Sequence, residues 1–83
     1  MTKRETLLEK ARNNPKGLKF KELLSLAEQQ GWAEARSEGS HFIYKRPGIP
    51  GIMDFQSGKS GVAKPYQVRQ LLLAIDGLDE GEE

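Results

Sequence analysis

Cysteine is absent from this 83-residue chain, and histidine and tryptophan each occur once. Without cysteine there is no disulfide framework and no thiolate metal site, which fits a reducing cytoplasm. No stretch approaches the roughly 18 apolar residues that a membrane span needs, so no membrane contact is expected. The opening Met1-Thr2-Lys3-Arg4 leads into charged sequence rather than an apolar core, so a secretory signal is not expected either. A chain of this length forms one small domain and buries only roughly 60% of its unfolded surface. That leaves little room for a deep cavity and predicts a shallow surface site.

What is present is unevenly charged. Thirteen bases and twelve acids give a net charge of +1. Five of the acids (Asp76, Asp79, Glu80, Glu82 and Glu83) close the chain with no base among them, which reads as a disordered, solubilising tail over residues 77–83. The centre is basic instead. Arg36, Lys45, Arg46, Lys59, Lys64 and Arg69 face only Glu38 and Asp54 between positions 36 and 69. A basic centre on a small domain suggests a polyanionic partner, although an ordinary solvated surface explains the charge equally well.

Periodicity supplies the elements. Thr2 with Glu5 stands in capping-box register for a peripheral helix over Met1–Asn13, and Asn13-Asn14-Pro15-Lys16-Gly17 breaks it. Phe20, Leu23, Leu24 and Ala27 recur at the spacing of one buried face in a helix over Leu18–Gln30, with Gly31 at the left-handed C-cap position. Strands are predicted over Trp32–Ser37, over the histidine segment and over Gly51–Gln56, separated by turns at Glu38-Gly39 and Pro47–Gly51. In the first, Ala33 and Ala35 share one face and Trp32, Glu34 and Arg36 the other. Pro65 opens a final helix in which Val68, Leu71, Leu72 and Ile75 form the apolar stripe and Gly77 ends it. The expected architecture is α+β, a three-stranded antiparallel sheet with helices on one face.

The segment Gly39-Ser40-His41-Phe42-Ile43-Tyr44-Lys45-Arg46-Pro47 deserves the closest reading. Strand alternation sends His41, Ile43 and Lys45 to one face and Phe42, Tyr44 and Arg46 to the other. Pairing Phe42 and Tyr44 with Met53 and Phe55 makes one face apolar, which leaves His41 on the wetter face. Imidazole titrates near neutrality, so a proton-transfer role is open to it. A lone exposed histidine with no role is the blander alternative. Ser57-Gly58-Lys59-Ser60-Gly61 contains a Gly-Lys-Ser triplet but is not a nucleotide-binding loop. Met53 stands where the first glycine of that motif belongs, and no βαβ unit follows. A serine hydrolase built on Ser40 and His41 fails as well, because adjacent strand residues point to opposite faces.

The order α-β-β-β-α is that of double-stranded-RNA-binding domains. The chain more specifically resembles the HicA family of bacterial toxins, the small ribonuclease half of HicAB toxin–antitoxin pairs. The resemblance rests on the helix Phe20–Gln30 ending at Gly31-Trp32, on Gly39-Ser40-His41, on the strand from Phe42 to Lys45, and on Lys64-Pro65-Tyr66-Gln67-Val68-Arg69-Gln70-Leu71-Leu72. It spans residues 18–76 and leaves residues 1–17 as an N-terminal helical extension. It implies a double-stranded-RNA-binding-like fold that cleaves mRNA without a metal or other cofactor, with His41 as the catalytic residue. It also implies a HicB-like antitoxin that covers the active site, and contact with DNA only through that antitoxin. Phe42 and Arg46 stand where many relatives carry further histidines.

RNA brings its own nucleophile, the 2′-hydroxyl beside each phosphate, so the enzyme need only move protons and stabilise charge. One histidine acts as base or acid but not as both at one instant. The complementary group is water, Tyr44 or a lysine, with Tyr44 the poorer candidate because it faces the other way. Slow cleavage of low sequence specificity follows. Lys45, Arg46, Lys59 and Lys64 are the expected phosphate contacts, and Ser40 either orients the imidazole or binds phosphate. Trp32, Ile43 and Ile52 are the apolar candidates for antitoxin docking. A non-catalytic RNA-binding module of the same fold is the competing reading, and a protein-binding adaptor fits the basic centre less well.

Overall fold

The structure, a computed structural model, describes residues 6–81. Helix α1 spans Leu7–Asn13. A 3-10 turn at Pro15–Gly17 leads to α2 over Phe20–Gln29. Strands β1 (Ala33–Glu38), β2 (His41–Arg46) and β3 (Ile49–Gln56) form one antiparallel sheet in the order β1-β2-β3. A second 3-10 turn at Lys59–Gly61 precedes α3, Pro65–Gly81. The last five long elements therefore run α-β-β-β-α, the α+β arrangement of double-stranded-RNA-binding domains.

The core forms where the helical stripes meet one sheet face. Leu23, Leu26 and Ala27 of α2 and Val68, Leu71 and Ile75 of α3 are buried against Tyr44 and Phe55. The strand register brings Phe42 opposite Phe55 and Tyr44 opposite Met53, so both strands turn their apolar residues inward together. Leu26, which falls outside the four-residue stripe read from the sequence, is as fully buried as Leu23. Helix α1 also joins the core through Ala11, which has no exposed surface. Its capping box is built by Thr6 and Glu9: Thr6 Oγ1 accepts from the Glu9 amide at 3.1 Å, and Glu9 Oε1 accepts from the Thr6 amide at 3.0 Å. The box expected at Thr2 and Glu5 lies outside the described residues.

Several local expectations are corrected. Trp32 is buried in the core, with the Arg46 guanidinium 5.6 Å from its ring centroid. A bulge between Glu34 and Arg36 places Glu34 opposite Tyr44 and Arg36 opposite Ile43, so those two residues occupy opposite faces rather than one. Ile43 is 6% exposed although it faces away from the helices; it sits on the middle strand, flanked across the two ladders by Arg36 and Asp54. Strand β3 begins at Ile49, since Pro47-Gly48 alone makes the turn. Pro50 and Gly51 fall at a register shift, where an edge strand tolerates proline. Gly77 does not stop α3, which continues through residues 77–81 of the expected tail. Leu78 packs against the core one residue further on, offsetting the roughly 0.5–1 kcal/mol that a helical glycine costs.

Gly31 behaves as read from the sequence. It takes a φ of +103°, and a Cβ there would sit 2.7 Å from Arg46 Nε. The glycine thus permits both the left-handed exit from α2 and the close approach of Arg46.

Candidate functional site

The site grows out of the β1–β2 hairpin. Glu38 pairs with His41, so Gly39-Ser40 is a two-residue loop, and Gly39 has the left-handed φ (+59°) that such a tight turn uses. His41 therefore stands at the very start of β2, on the face away from the helices, with its side chain about half exposed. Its Cα partner across the sheet is Gln56, and Asp54 lies diagonally across, opposite Ile43. Diagonal neighbours on one face are within reach of long side chains. His41 Nδ1 lies 3.0 Å from Asp54 Oδ1 and 3.2 Å from Oδ2.

That contact decides what the imidazole presents. A carboxylate accepts but cannot donate, so Nδ1 carries the hydrogen and donates it. Nε2 is then the nitrogen left for chemistry. In the neutral ring it is a base; in the protonated ring it is an acid.

A second chain of hydrogen bonds flanks the histidine. Lys64 Nζ donates to Gln56 Oε1 at 3.0 Å, and Gln56 Nε2 donates to Ser40 Oγ at 3.1 Å. Lys64 is half-buried just ahead of α3. The cation reaches the histidine end of the sheet because Gln56 bridges it to Ser40. Beneath this chain, Gln67 is 3% exposed and serves as a substitute peptide for the edge of β3. Its Oε1 accepts from the Gln56 amide at 3.1 Å, and its Nε2 donates to the Asp54 carbonyl at 3.2 Å. The strand bearing Asp54 and the helix following Lys64 are thereby fixed to each other.

Of the residues expected at the site, His41, Ser40 and Lys64 come together. Lys45 does not. It is exposed four residues along β2, roughly 13 Å away at about 3.3 Å per residue, at the end where Ala33 is its cross-strand partner. Lys59 is exposed in the loop between β3 and α3. Arg46 has a different engagement. Its Nε donates to the Gln30 carbonyl at 2.8 Å, closing the C-terminal end of α2, while its guanidinium lies against Trp32. Tyr44 is buried on the far face and donates to Glu28 Oε2 at 3.0 Å. Burial and the Glu28 carboxylate push its hydroxyl up to about 12, so it holds its proton and takes no part at His41.

Asp54, Gln56 and Gln67 were not singled out from the sequence. For Asp54 a signal existed: with Met53 and Phe55 inward, alternation sends it to the histidine face. Gln67 gave none, since a polar residue beside a helix's apolar stripe is ordinarily solvated. Among the described residues, no three His, Cys, Asp or Glu side chains gather in a way that could hold a metal ion. No described helix is long and apolar enough to cross a membrane.

Neither a search of curated proteins nor one of solved structures returns a significant match. A family model, that of the HicA toxin of bacterial toxin–antitoxin systems, matches residues 20–76. This is well over half of the chain and takes in α2, the whole sheet and most of α3. The chain therefore belongs to the HicA toxin family.

Proposed function

We propose that this HicA-family protein is an endoribonuclease that cleaves mRNA through His41, acts in the cytoplasm without a metal, and is inhibited by a HicB-like antitoxin seated over the same face. The observation that supports it most is the His41–Asp54 pair, exposed on an open sheet face beside a lysine. In this reading the 2′-hydroxyl of a bound nucleotide attacks its neighbouring phosphorus. The 2′-O–P bond forms, the P–O5′ bond breaks, and the products are a 2′,3′-cyclic phosphate and a 5′-hydroxyl. His41 Nε2 takes the 2′ proton, and water or Lys64 supplies the proton that the 5′-oxygen needs. Asp54 keeps the ring in the tautomer with a free Nε2 and stabilises the imidazolium once the proton is taken. Lys64 offsets the charge that builds on the phosphoryl oxygens. Lys59 and Lys45 attract the flanking backbone at longer range, and Arg46 contributes only field, since its donors are engaged elsewhere.

The test is cleavage of RNA by purified wild-type and His41→Ala protein. Loss of a positioned acid–base group lowers the rate by about 10²–10⁴-fold. RNA binding should persist in the variant, because the lysines remain. Unchanged cleavage by His41→Ala would remove the catalytic assignment. Binding by the wild type with no cleavage at all would favour the RNA-binding module.

A further inference from the structure

Among the described residues, the exposed large hydrophobic side chains are Ile52, Tyr66 and Leu73, at 53%, 53% and 72%. All three line the same hollow, which also contains His41 and Asp54. The hollow lies between the outer side of β3 and the early turns of α3 and has a volume of about 570 Å³. That is within the few hundred to about a thousand cubic ångströms of sites that hold small organic ligands. Tyr66, Gln70 and Leu73 follow one another at i, i+4 and i+7, so α3 presents a second stripe here, distinct from the Val68, Leu71 and Ile75 stripe it buries.

We propose that this hollow is a binding subsite for one unpaired nucleobase of the RNA, stacked on Tyr66 and read at its edge by Gln70. The inference rests on the nuclease reading of His41, since it places the base next to the scissile phosphate. No lysine or arginine lines the hollow, so the phosphate backbone does not enter it. The nearby cation is Lys64, on the Ser40 side of the histidine. Backbone and base are thus separated, phosphate toward Lys64 and base toward Tyr66. An exposed tyrosine ring offers the flat apolar face that stacking needs. The Gln67 amide is already spent on Gln56, Asp54 and Tyr66 Oη, whereas that of Gln70 makes no hydrogen bond among the described residues. A base inside a duplex remains stacked and cannot reach such a hollow. The substrate is therefore single-stranded or looped RNA, although the fold is one that elsewhere grips duplexes.

The probe is a 2′-O-methyl oligoribonucleotide containing 2-aminopurine, whose fluorescence is quenched on stacking. It lacks the 2′-hydroxyl, so its binding does not depend on cleavage. Wild type and Tyr66→Phe should bind and quench the single strand alike, since the ring is retained. Tyr66→Ala and Leu73→Glu should raise Kd at least fivefold, the lower end of the effect of losing one stacked base. Both side chains are exposed, and melting curves verify that the variants fold. The blunt duplex of the same sequence should bind at least tenfold more weakly. Binding by Tyr66→Ala within twofold of wild type would overturn the subsite and leave the hollow to a protein partner. A duplex bound as tightly as the single strand, a Tyr66→Phe variant as weak as Tyr66→Ala, or no binding by the wild type would overturn it as well. Unchanged cleavage by His41→Ala would sink the nuclease reading yet leave these binding results standing, so the two failures are distinguishable.

Discussion

An imidazole with one nitrogen donated to a carboxylate presents the other in a defined state. For His41 this depends on Asp54, whose carboxylate lies 3.0 Å away. Asp54→Asn keeps the size of the side chain but lets it donate as well as accept, so the ring is no longer held with Nδ1 protonated. Cleavage by Asp54→Asn should fall about ten- to hundredfold with little change in KM. That is less than the roughly 10⁴-fold seen where such a pair is fully buried, because water competes for half-exposed groups. An unaltered rate would make the contact incidental. At the same residues the sequence was partly readable. His41 stood out as the single imidazole on a wet face, and alternation alone could have supplied Asp54. Arg46 was expected at a phosphate; its side chain leaves the strand to close the end of α2, a tertiary contact with no local signature.

Helix α3 and strand β3 are held together by one buried amide. Gln67 satisfies the Gln56 amide and the Asp54 carbonyl, both of which an edge strand would otherwise leave without a partner. Gln67→Ala should destabilise the fold by about 1–3 kcal/mol, the usual consequence of orphaning buried polar groups. In a domain this small that corresponds to a melting-point drop on the order of 5–20 °C, measurable by calorimetry. Gln67→Glu should be similarly harmful, since it accepts but cannot donate to the Asp54 carbonyl. A melting point unchanged in both would show that water replaces the amide freely. The elements themselves were legible wherever periodicity was strong: α2, the β2–β3 pairing and the start of α3 at Pro65 follow directly from spacing and turn chemistry. The sequence misled where a glycine or proline has two meanings. Gly77 is a helix stop by propensity, yet packing of Leu78 sustains the helix beyond it. Pro50-Gly51 looks like a turn, yet at a sheet edge it forms a bulge inside β3. The bulge near Ala35 could not be foreseen, because one extra residue inverts the faces without altering composition.

The molecule as a whole is tied together at the back of α1. Lys10 Nζ pairs with Glu22 at 2.8 Å, and Arg12 with Asp76 at 2.7 Å, linking α1 to α2 and α3. The Lys10 ammonium and the Lys19 backbone amide hold the Glu22 carboxyl below its ordinary value of 4.5. Because the folded state lowers this pKa, the contribution to stability is complete above about 4.5 and disappears as the pH falls through the folded value. Denaturation midpoints at pH 7 and at pH 3 should therefore differ more for wild type than for Glu22→Gln; an identical difference in both proteins would exclude the link. Neither pair includes a residue of the candidate site, so they bear on folding. The chemistry is most directly tested by the ends of the RNA fragments made in the presence of EDTA. Wild-type protein should leave 2′,3′-cyclic phosphate and 5′-hydroxyl ends that are missing when His41→Ala is used. Fragments ending in 5′-phosphate, cleavage abolished by EDTA, or equal cleavage by the two proteins would contradict a histidine-driven attack by the RNA's own hydroxyl.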